Sequence, residues 1–165
     1  MTRQHGGQVR PVPPADKAWF RLWPPVALGL PLVAGLGLTA MIDDPWDLPE
    51  WRIRAGWTLV IAFATWNAWG IGTLAAHRTG LLPGQETNTL VTSGPYRLSR
   101  NPLYLGLVTL YVGLGLLVPS LWALLLTPVA IAAVEWGAIR PEETFLRERF
   151  RGEYEEYARR TRRWV

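Results

Sequence analysis

The sequence contains no cysteine among its 165 residues. This absence excludes disulfide bonds, thiolate metal sites and cysteine nucleophiles within the chain. Charge is also scarce, since Asp, Glu, Lys and Arg make up 18% of the residues and apolar residues make up 49%. Soluble globular domains carry roughly 25% charged residues. The composition therefore favours a membrane protein.

The missing charges leave long apolar stretches. No charged residue lies between Leu22 and Ile42, and Glu135 is the only one between Leu103 and Ile139. Four apolar segments, each close to the roughly 20 residues that cross a bilayer, can be drawn at residues 19–42, 55–76, 103–118 and 121–139. A soluble core of this kind would leave too little polar surface to cover it.

We therefore predict an all-α integral membrane helical bundle with four transmembrane helices. Pro119-Ser120 separates the last two segments, which predicts a tight helical hairpin. Residues 19–165 are expected to form a single domain. Residues 1–18 are Pro- and Gly-rich and polar, which predicts a disordered N-terminal arm and not a cleavable signal peptide.

The cations indicate an orientation in the membrane. Lys and Arg are frequent in the N-terminal arm, few in the first loop, frequent at 77–102, absent from the third loop and abundant in the tail. The positive-inside rule then places both termini and the 77–102 loop on the cytoplasmic side. The basic excess is expected to face anionic lipid headgroups, and nucleic acid is not an expected partner. The sequence predicts no oligomeric state.

The stretch 93–106, SGPYRLSRNPLYLG, places polar and aromatic residues just before an apolar helix. Pro102 suits the first helical position, and Asn101 is a natural N-cap. A helix N-terminus beside arginines attracts a carboxylate or phosphate. The alternative is simple capping, with the arginines extending to the interface. The residues that bear this chemistry are Tyr96, Arg97, Arg100, Asn101 and Tyr104.

A second polar stretch, IRPEETFL, follows the fourth segment. Pro141 disfavours helix at Arg140 and suits the first position of a new helix, with Glu142 and Glu143 in its first turn. The apolar positions Leu146, Phe150, Tyr154 and Tyr157 recur at helical spacing. They predict one C-terminal interfacial helix that covers the hairpin.

The paired glutamates of this stretch have two possible roles. Glu142 and Glu143 either bind a ligand or merely cap the helix and pair with Arg147. Glu135, inside an apolar segment, needs a partner or a role, and a pair with Arg140 or Arg97 is expected. Since the proposed orientation puts both polar stretches on the cytoplasmic side, we expect them to meet.

These stretches carry a resemblance. GPYRLSRNPLYLG, a helical hairpin and then RPEETFLRERFRGEYEEYARRTRRW resemble the isoprenylcysteine carboxyl methyltransferase and phospholipid methyltransferase family over about residues 55–164. Asn101 occupies the family's His/Asn position. Arg151, between Phe150 and Gly152, is an insertion relative to the family pattern. Gly70-Ile71-Gly72 resembles a Gly-x-Gly element of the phospholipid branch.

The resemblance implies transfer of a methyl group from S-adenosylmethionine to a lipophilic acceptor, either an isoprenylcysteine-type carboxylate or a phospholipid amine. It implies catalytic roles for Arg97, Asn101 and Tyr104, and no metal site. The residues that it implies for cofactor binding are Tyr96, Arg100, Asn101, Pro102, Tyr104, Gly106, Arg140, Glu142 and Glu143. Two alternatives remain: a non-enzymatic binding or assembly protein on this scaffold, and a sterol-reductase-like enzyme that uses NADPH.

Overall fold

A computed structural model describes residues 21–44, 47–78 and 89–165. All regular elements within these ranges are helical, which agrees with the predicted all-α class. The predicted disordered arm at 1–18 and the first two residues of the segment 19–42 lie outside the described residues.

The first two helices are α1, Pro24–Ile42, and α2, Trp51–Ala76. Both are long and apolar enough to cross a membrane. Helix α2 begins four residues before the predicted segment, at Trp51. Helix α3, Pro102–Leu117, is apolar but shorter, with 16 residues. A helical membrane protein fits these elements, while the count of four spans stays a prediction.

Small residues bring α2 close to α3. A Cβ on Gly113 would lie 3.2 Å from the Gly56 carbonyl oxygen, and one on Gly70 would lie 2.7 Å from Cδ2 of Leu103. Packing of this kind is usual between helices in membranes. Gly70 therefore allows α2 to pack closely against α3, whereas Gly72 faces open space.

The predicted hairpin turn at Pro119-Ser120 is present and is held by side-chain caps. The Ser120 hydroxyl accepts a hydrogen bond from the Ala123 amide at 3.1 Å. The Asp44 carboxylate accepts hydrogen bonds from the amides of Leu121, at 3.0 Å, and Trp122, at 3.4 Å. These bonds satisfy amides that a helix start would otherwise leave unpaired, and they join the end of α1 to the hairpin.

The prediction of one helix over 121–139 is wrong. The structure has α4, Leu121–Leu125, then α5, Thr127–Val134, and then a π-helical turn, Glu135–Ile139. The break between α4 and α5 precedes Pro128, which has no amide hydrogen to continue the helix and restricts the residue before it.

The predicted helix break at Arg140 is also wrong. Arg140 has φ −62° and ψ −45°, and the chain continues from the π-turn into α6, Arg140–Phe150. Pro141 cannot donate to the carbonyl of Gly137, four residues earlier. That carbonyl instead accepts hydrogen bonds from the amides of Arg21, at 2.9 Å, and Leu22, at 3.2 Å. A partner outside the helix thus lets it continue through the proline.

The prediction of a single C-terminal helix is also wrong. Helix α6 ends at Phe150, and a separate helix, α7, spans Gly152–Arg160. Between them, Arg151 has φ 46°, a left-handed conformation that no helical residue adopts. The residue that departs from the family pattern is therefore the point at which the chain changes direction. The position of these helices on a membrane surface stays a prediction.

Candidate functional site

The two polar stretches meet, as the sequence predicted. The hydroxyl of Tyr104, in the first turn of α3, donates a hydrogen bond to Oε2 of Glu142 at 2.8 Å. The Tyr157 hydroxyl of α7 donates one to the carbonyl of Tyr96 at 2.7 Å. Tyr96 belongs to the short 3₁₀ turn Gly94–Arg97 that precedes α3. Residues far apart in sequence therefore form one cluster at the start of α3.

Glu142 is the acidic residue of this cluster that lacks a counter-ion. Burial raises the pKa of its carboxyl group, the Tyr104 hydrogen bond partly offsets that rise, and the charge of Glu143 adds to it. Among the residues described by the structure, Glu142 has no arginine or lysine partner. Burial and the nearby Glu142 charge also raise the pKa of the Tyr96 hydroxyl. We call Tyr96, Tyr104 and Glu142 the acidic corner.

Glu143, the next residue, is in the opposite situation. Its side chain is buried, and it accepts two hydrogen bonds from Arg163, from Nη2 at 2.8 Å and from Nε at 3.1 Å. Arg100 adds an ion pair at 3.5 Å. Burial of a carboxylate is tolerated when it is paired and hydrogen-bonded. The two glutamates that the sequence treated alike therefore have different surroundings.

Arg163 is a site residue that the sequence analysis missed. Its Nη1 also donates to Oε1 of Glu135 at 3.0 Å, and so does Nη2 of Arg140. The predicted pair between Glu135 and Arg140 is thus confirmed. Arg140 also stacks over the Trp136 ring, 5.5 Å from its centroid. The sequence ends in RRTRRWV, and nothing in that run distinguishes one arginine from the others.

The start of α3 is built differently from the prediction. Pro102 does occupy the first helical position, but the Asn101 side chain makes no capping hydrogen bond. Its Nδ2 donates instead to the carbonyl of Arg163 at 3.2 Å. The Ser99 hydroxyl donates to the same carbonyl at 3.1 Å. The Asn101 side chain, which was expected to cap the helix, therefore binds the C-terminal tail (residues 161–164) instead, together with Ser99.

Three further predicted residues lie at the edges of the cluster. Arg97 is exposed and lines an open cleft of about 580 Å³ beside α7, with Tyr157 and Arg160. Gly106 faces α2, where an added Cβ would overlap the amide of Asn67. The carbonyl of Pro102 accepts a hydrogen bond from Nε1 of Trp66 at 2.7 Å. Gly106 and Pro102 thus join α3 to α2.

The part of the chain that the structure describes contains no group of three or more His, Asp or Glu side chains placed to hold a metal ion. The cluster at the start of α3 combines carboxylates, guanidinium groups and tyrosines. Chemically, such a group of side chains suits an organic ion with charges of both signs.

A comparison with known protein families gives a match over more than half of the chain. The family model described as phospholipid methyltransferase matches residues 51–153, which include α2, α3, the hairpin and α6. The chain belongs to the phospholipid methyltransferase family. The match includes the whole acidic corner but ends before the tail that carries Arg163.

Two curated proteins resemble the chain. It is 44% identical over 80 residues to the cobalt-zinc-cadmium resistance protein CzcN of Cupriavidus metallidurans. It is 36% identical over 80 residues to the nickel-cobalt-cadmium resistance protein NccN of Alcaligenes xylosoxydans xylosoxydans. Each alignment covers 48% of this chain and 37% of the relative, so the chain matches little more than a third of either one. No solved structure matches the chain.

Proposed function

We propose that the protein transfers a methyl group from S-adenosylmethionine to a lipophilic acceptor at the cytoplasmic face of a membrane. Membership of the phospholipid methyltransferase family supports the reaction class. The apolar helices α1 and α2 support a membrane location and an acceptor that dissolves in lipid. The acidic corner, in which Glu142 has no counter-ion among the residues that the structure describes, is the single observation that supports the cofactor.

S-adenosylmethionine carries positive charge at its sulfur and at its amino group. A buried carboxylate without a counter-ion is costly, and a cationic ligand would remove that cost. Glu142 is a partly buried carboxylate with no counter-ion among the described residues. Tyr96 and Tyr104 lie beside it with aromatic rings, which attract cations at their faces. The residues present therefore fit the positive end of this cofactor. Arg97, exposed at the neighbouring cleft, is the candidate for its carboxylate.

S-adenosylmethionine supplies a methyl group on a sulfonium, whose carbon–sulfur bond breaks as the acceptor oxygen or nitrogen bonds the carbon and neutral S-adenosylhomocysteine leaves. The protein has to hold the reacting groups in line and exclude water. The hydrogen bond between Tyr104 and Glu142 joins α3 to α6. A carboxylate acceptor is already ionised and needs no base, whereas an amine acceptor must first lose a proton.

A non-enzymatic accessory role is the second candidate, because both curated relatives are named as metal resistance proteins. Ligand binding separates these candidates. We expect S-adenosylmethionine and S-adenosylhomocysteine to bind the detergent-purified protein in calorimetry. An accessory protein would bind neither, and a reductase of the sterol type would bind NADPH instead.

The acceptor is identified by a separate experiment. Membranes that contain the protein are incubated with methyl-labelled S-adenosylmethionine, and the lipid extract is separated by chromatography. Label in a base-labile ester indicates a carboxylate acceptor, and label in a base-stable headgroup indicates an amine. Membranes with the Glu142→Gln variant are the matched control, since this change removes charge at nearly constant size.

A further inference from the structure

We propose that Arg163 is a positioning residue for the cofactor site, and that it holds Glu142 in place through Glu143 and through the segment that leads into α3. This inference rests on the proposed function, because it assigns Glu142 to the cofactor. Arg163 lies beyond the residues that the family model matches.

The Arg163 side chain joins two acidic residues on neighbouring parts of one helical run. Nε and Nη2 of Arg163 contact the two oxygens of Glu143 at 3.1 and 2.8 Å, and Nη1 contacts Glu135 at 3.0 Å. Bidentate pairs between arginine and a carboxylate fix geometry as well as charge. Glu142 precedes Glu143 in the same helical turn. The bidentate pair between Arg163 and Glu143, which we call the fork, therefore also fixes the backbone that carries Glu142.

The backbone at Arg163 contacts the segment that leads into α3. Its carbonyl accepts the hydrogen bonds from Ser99 and Asn101, and the Arg100 amide donates to the carbonyl of Arg162 at 2.9 Å. This segment runs directly into α3, where Tyr104 lies one turn later. One residue thus binds α6 by its side chain and the start of α3 by its backbone.

The tail is itself anchored on both sides of Arg163. Thr161 is buried, and Trp164 packs against the core formed by α1, α3 and α5. The tail therefore has a fixed place in the fold, and the separation of Tyr104 from Glu142 depends on it.

Arg163 should also affect the pKa of Glu142, through its pairing with Glu143. The ionisable groups that face Glu142 are Tyr104 from α3, Tyr96 from the 3₁₀ turn and Glu143 from its own helix. The negative charge of Glu143 raises the pKa of Glu142, and Arg163 offsets that charge. Removing the guanidinium takes away that compensating positive charge and should therefore raise the pKa of Glu142 further.

The first test uses the ligand-free protein, so it does not depend on methyl transfer. Wild type, Arg163→Gln and Arg163→Lys are labelled with ¹³C at glutamate carboxyl groups and titrated in detergent by NMR. The Glu142 signal is identified by its loss in Glu142→Gln. We expect a higher Glu142 pKa in Arg163→Gln than in wild type, and a value in between for Arg163→Lys, which keeps the charge without the fork. Arg159→Gln, an exposed change on α7, should match wild type.

The second test measures the affinity of the same variants for S-adenosylmethionine by calorimetry. We expect Arg163→Gln to bind about tenfold more weakly or worse, by analogy with the loss of a charge-assisted hydrogen bond. Arg163→Lys should recover part of the loss, and Arg159→Gln should bind as wild type does.

The two tests separate the inference from the proposed function. If wild type binds no S-adenosylmethionine but Arg163→Gln still shifts the Glu142 titration, the cofactor assignment fails and the positioning by Arg163 stands. If wild type binds and folded Arg163→Gln leaves both titration and affinity unchanged, the positioning role is overturned and the proposed function stands. An Arg163→Gln chain that does not fold leaves Arg163→Lys to decide, and wild-type behaviour of that variant in both tests would also overturn the role.

Discussion

The Tyr104 hydroxyl lies 2.8 Å from Oε2 of Glu142 and donates a hydrogen bond to it, joining the first turn of α3 to the first turn of α6. These residues are 38 positions apart in sequence. The bond leaves Glu142 with a hydroxyl donor but no counter-ion among the described residues, so a cationic ligand could supply the missing positive charge.

Replacing Tyr104 by Phe tests this bond directly. The Tyr104→Phe change keeps the ring and removes the hydroxyl, so we expect weaker binding of S-adenosylmethionine with little change in the fold. The bond favours the ionised form of Glu142, and a hydrogen bond to a charged group contributes about 1.5–3 kcal/mol. Its loss favours the protonated carboxyl group, so the affinity for the cation should fall by up to roughly a hundred-fold. Tyr111→Phe is the matched control, because the Tyr111 hydroxyl donates to the Ala123 carbonyl within the hairpin. Equal affinity losses in both variants would argue against a specific role for Tyr104.

Replacing Glu143 by Gln should lower stability more than affinity. Glu143 is buried between Arg100 and Arg163, and removing one partner of a buried ion pair costs about 3–5 kcal/mol. Thermal unfolding of the purified variant measures this loss. The exposed Glu148→Gln on the same helix should stay within about 0.5 kcal/mol of wild type. A Glu143→Gln protein of normal stability would show that the ion pairs contribute little.

The raised pKa of Glu142 predicts a pH dependence. The folded protein holds this proton more tightly than the unfolded chain does, because burial raises the folded-state pKa above the ordinary glutamate value. The resulting stabilisation is complete below the ordinary value and is lost as the pH rises through the folded-state pKa. The ligand-free wild type should therefore lose melting temperature over this interval more steeply than Glu142→Gln. Parallel curves for the two proteins would contradict the burial of an ionisable Glu142.

The affinity for a cationic ligand should rise with pH, whereas the melting temperature falls. An ionised Glu142 attracts the cation, so affinity for S-adenosylmethionine should rise with pH over the same interval. Glu142→Gln should show a flatter affinity profile.

The topology predicted from the cations is tested by reporter fusions. Fusions after Asp44 and after Val165 should report opposite sides of the membrane. The structure is compatible with this, since Asp44 lies at the hairpin turn whereas Arg21 lies beside Gly137, at the other end of the helices. Signals from the same side would remove the argument that both polar stretches face the cytoplasm.

Much of the site was predictable from sequence because its residues occur in two short polar stretches between apolar segments. The cation pattern placed both stretches on one side, and the Tyr104–Glu142 bond shows that they do meet. The helix start at Pro102 was predictable from the fixed φ of proline.

Other features depend on contacts between distant residues. Arg163 is one of several arginines near the C-terminus, and only the folded positions of Glu135 and Glu143 distinguish it. The helix continues through Pro141 because the distant amides of Arg21 and Leu22 take over the Gly137 carbonyl. Local propensity could not show either contact. The break at Arg151 overrides an apolar spacing that fits one continuous helix.

The decisive test of the proposed cofactor site compares the binding of S-adenosylmethionine to wild type and to Glu142→Gln. Calorimetry in detergent should show binding to wild type, and binding weaker by roughly ten- to a hundred-fold in Glu142→Gln, since the variant loses a charged contact in a partly desolvated site. Glu148→Gln serves as the control and should bind normally. Equal affinity of wild type and a folded Glu142→Gln variant, or no binding to wild type, would contradict the assignment of the acidic corner to the cofactor.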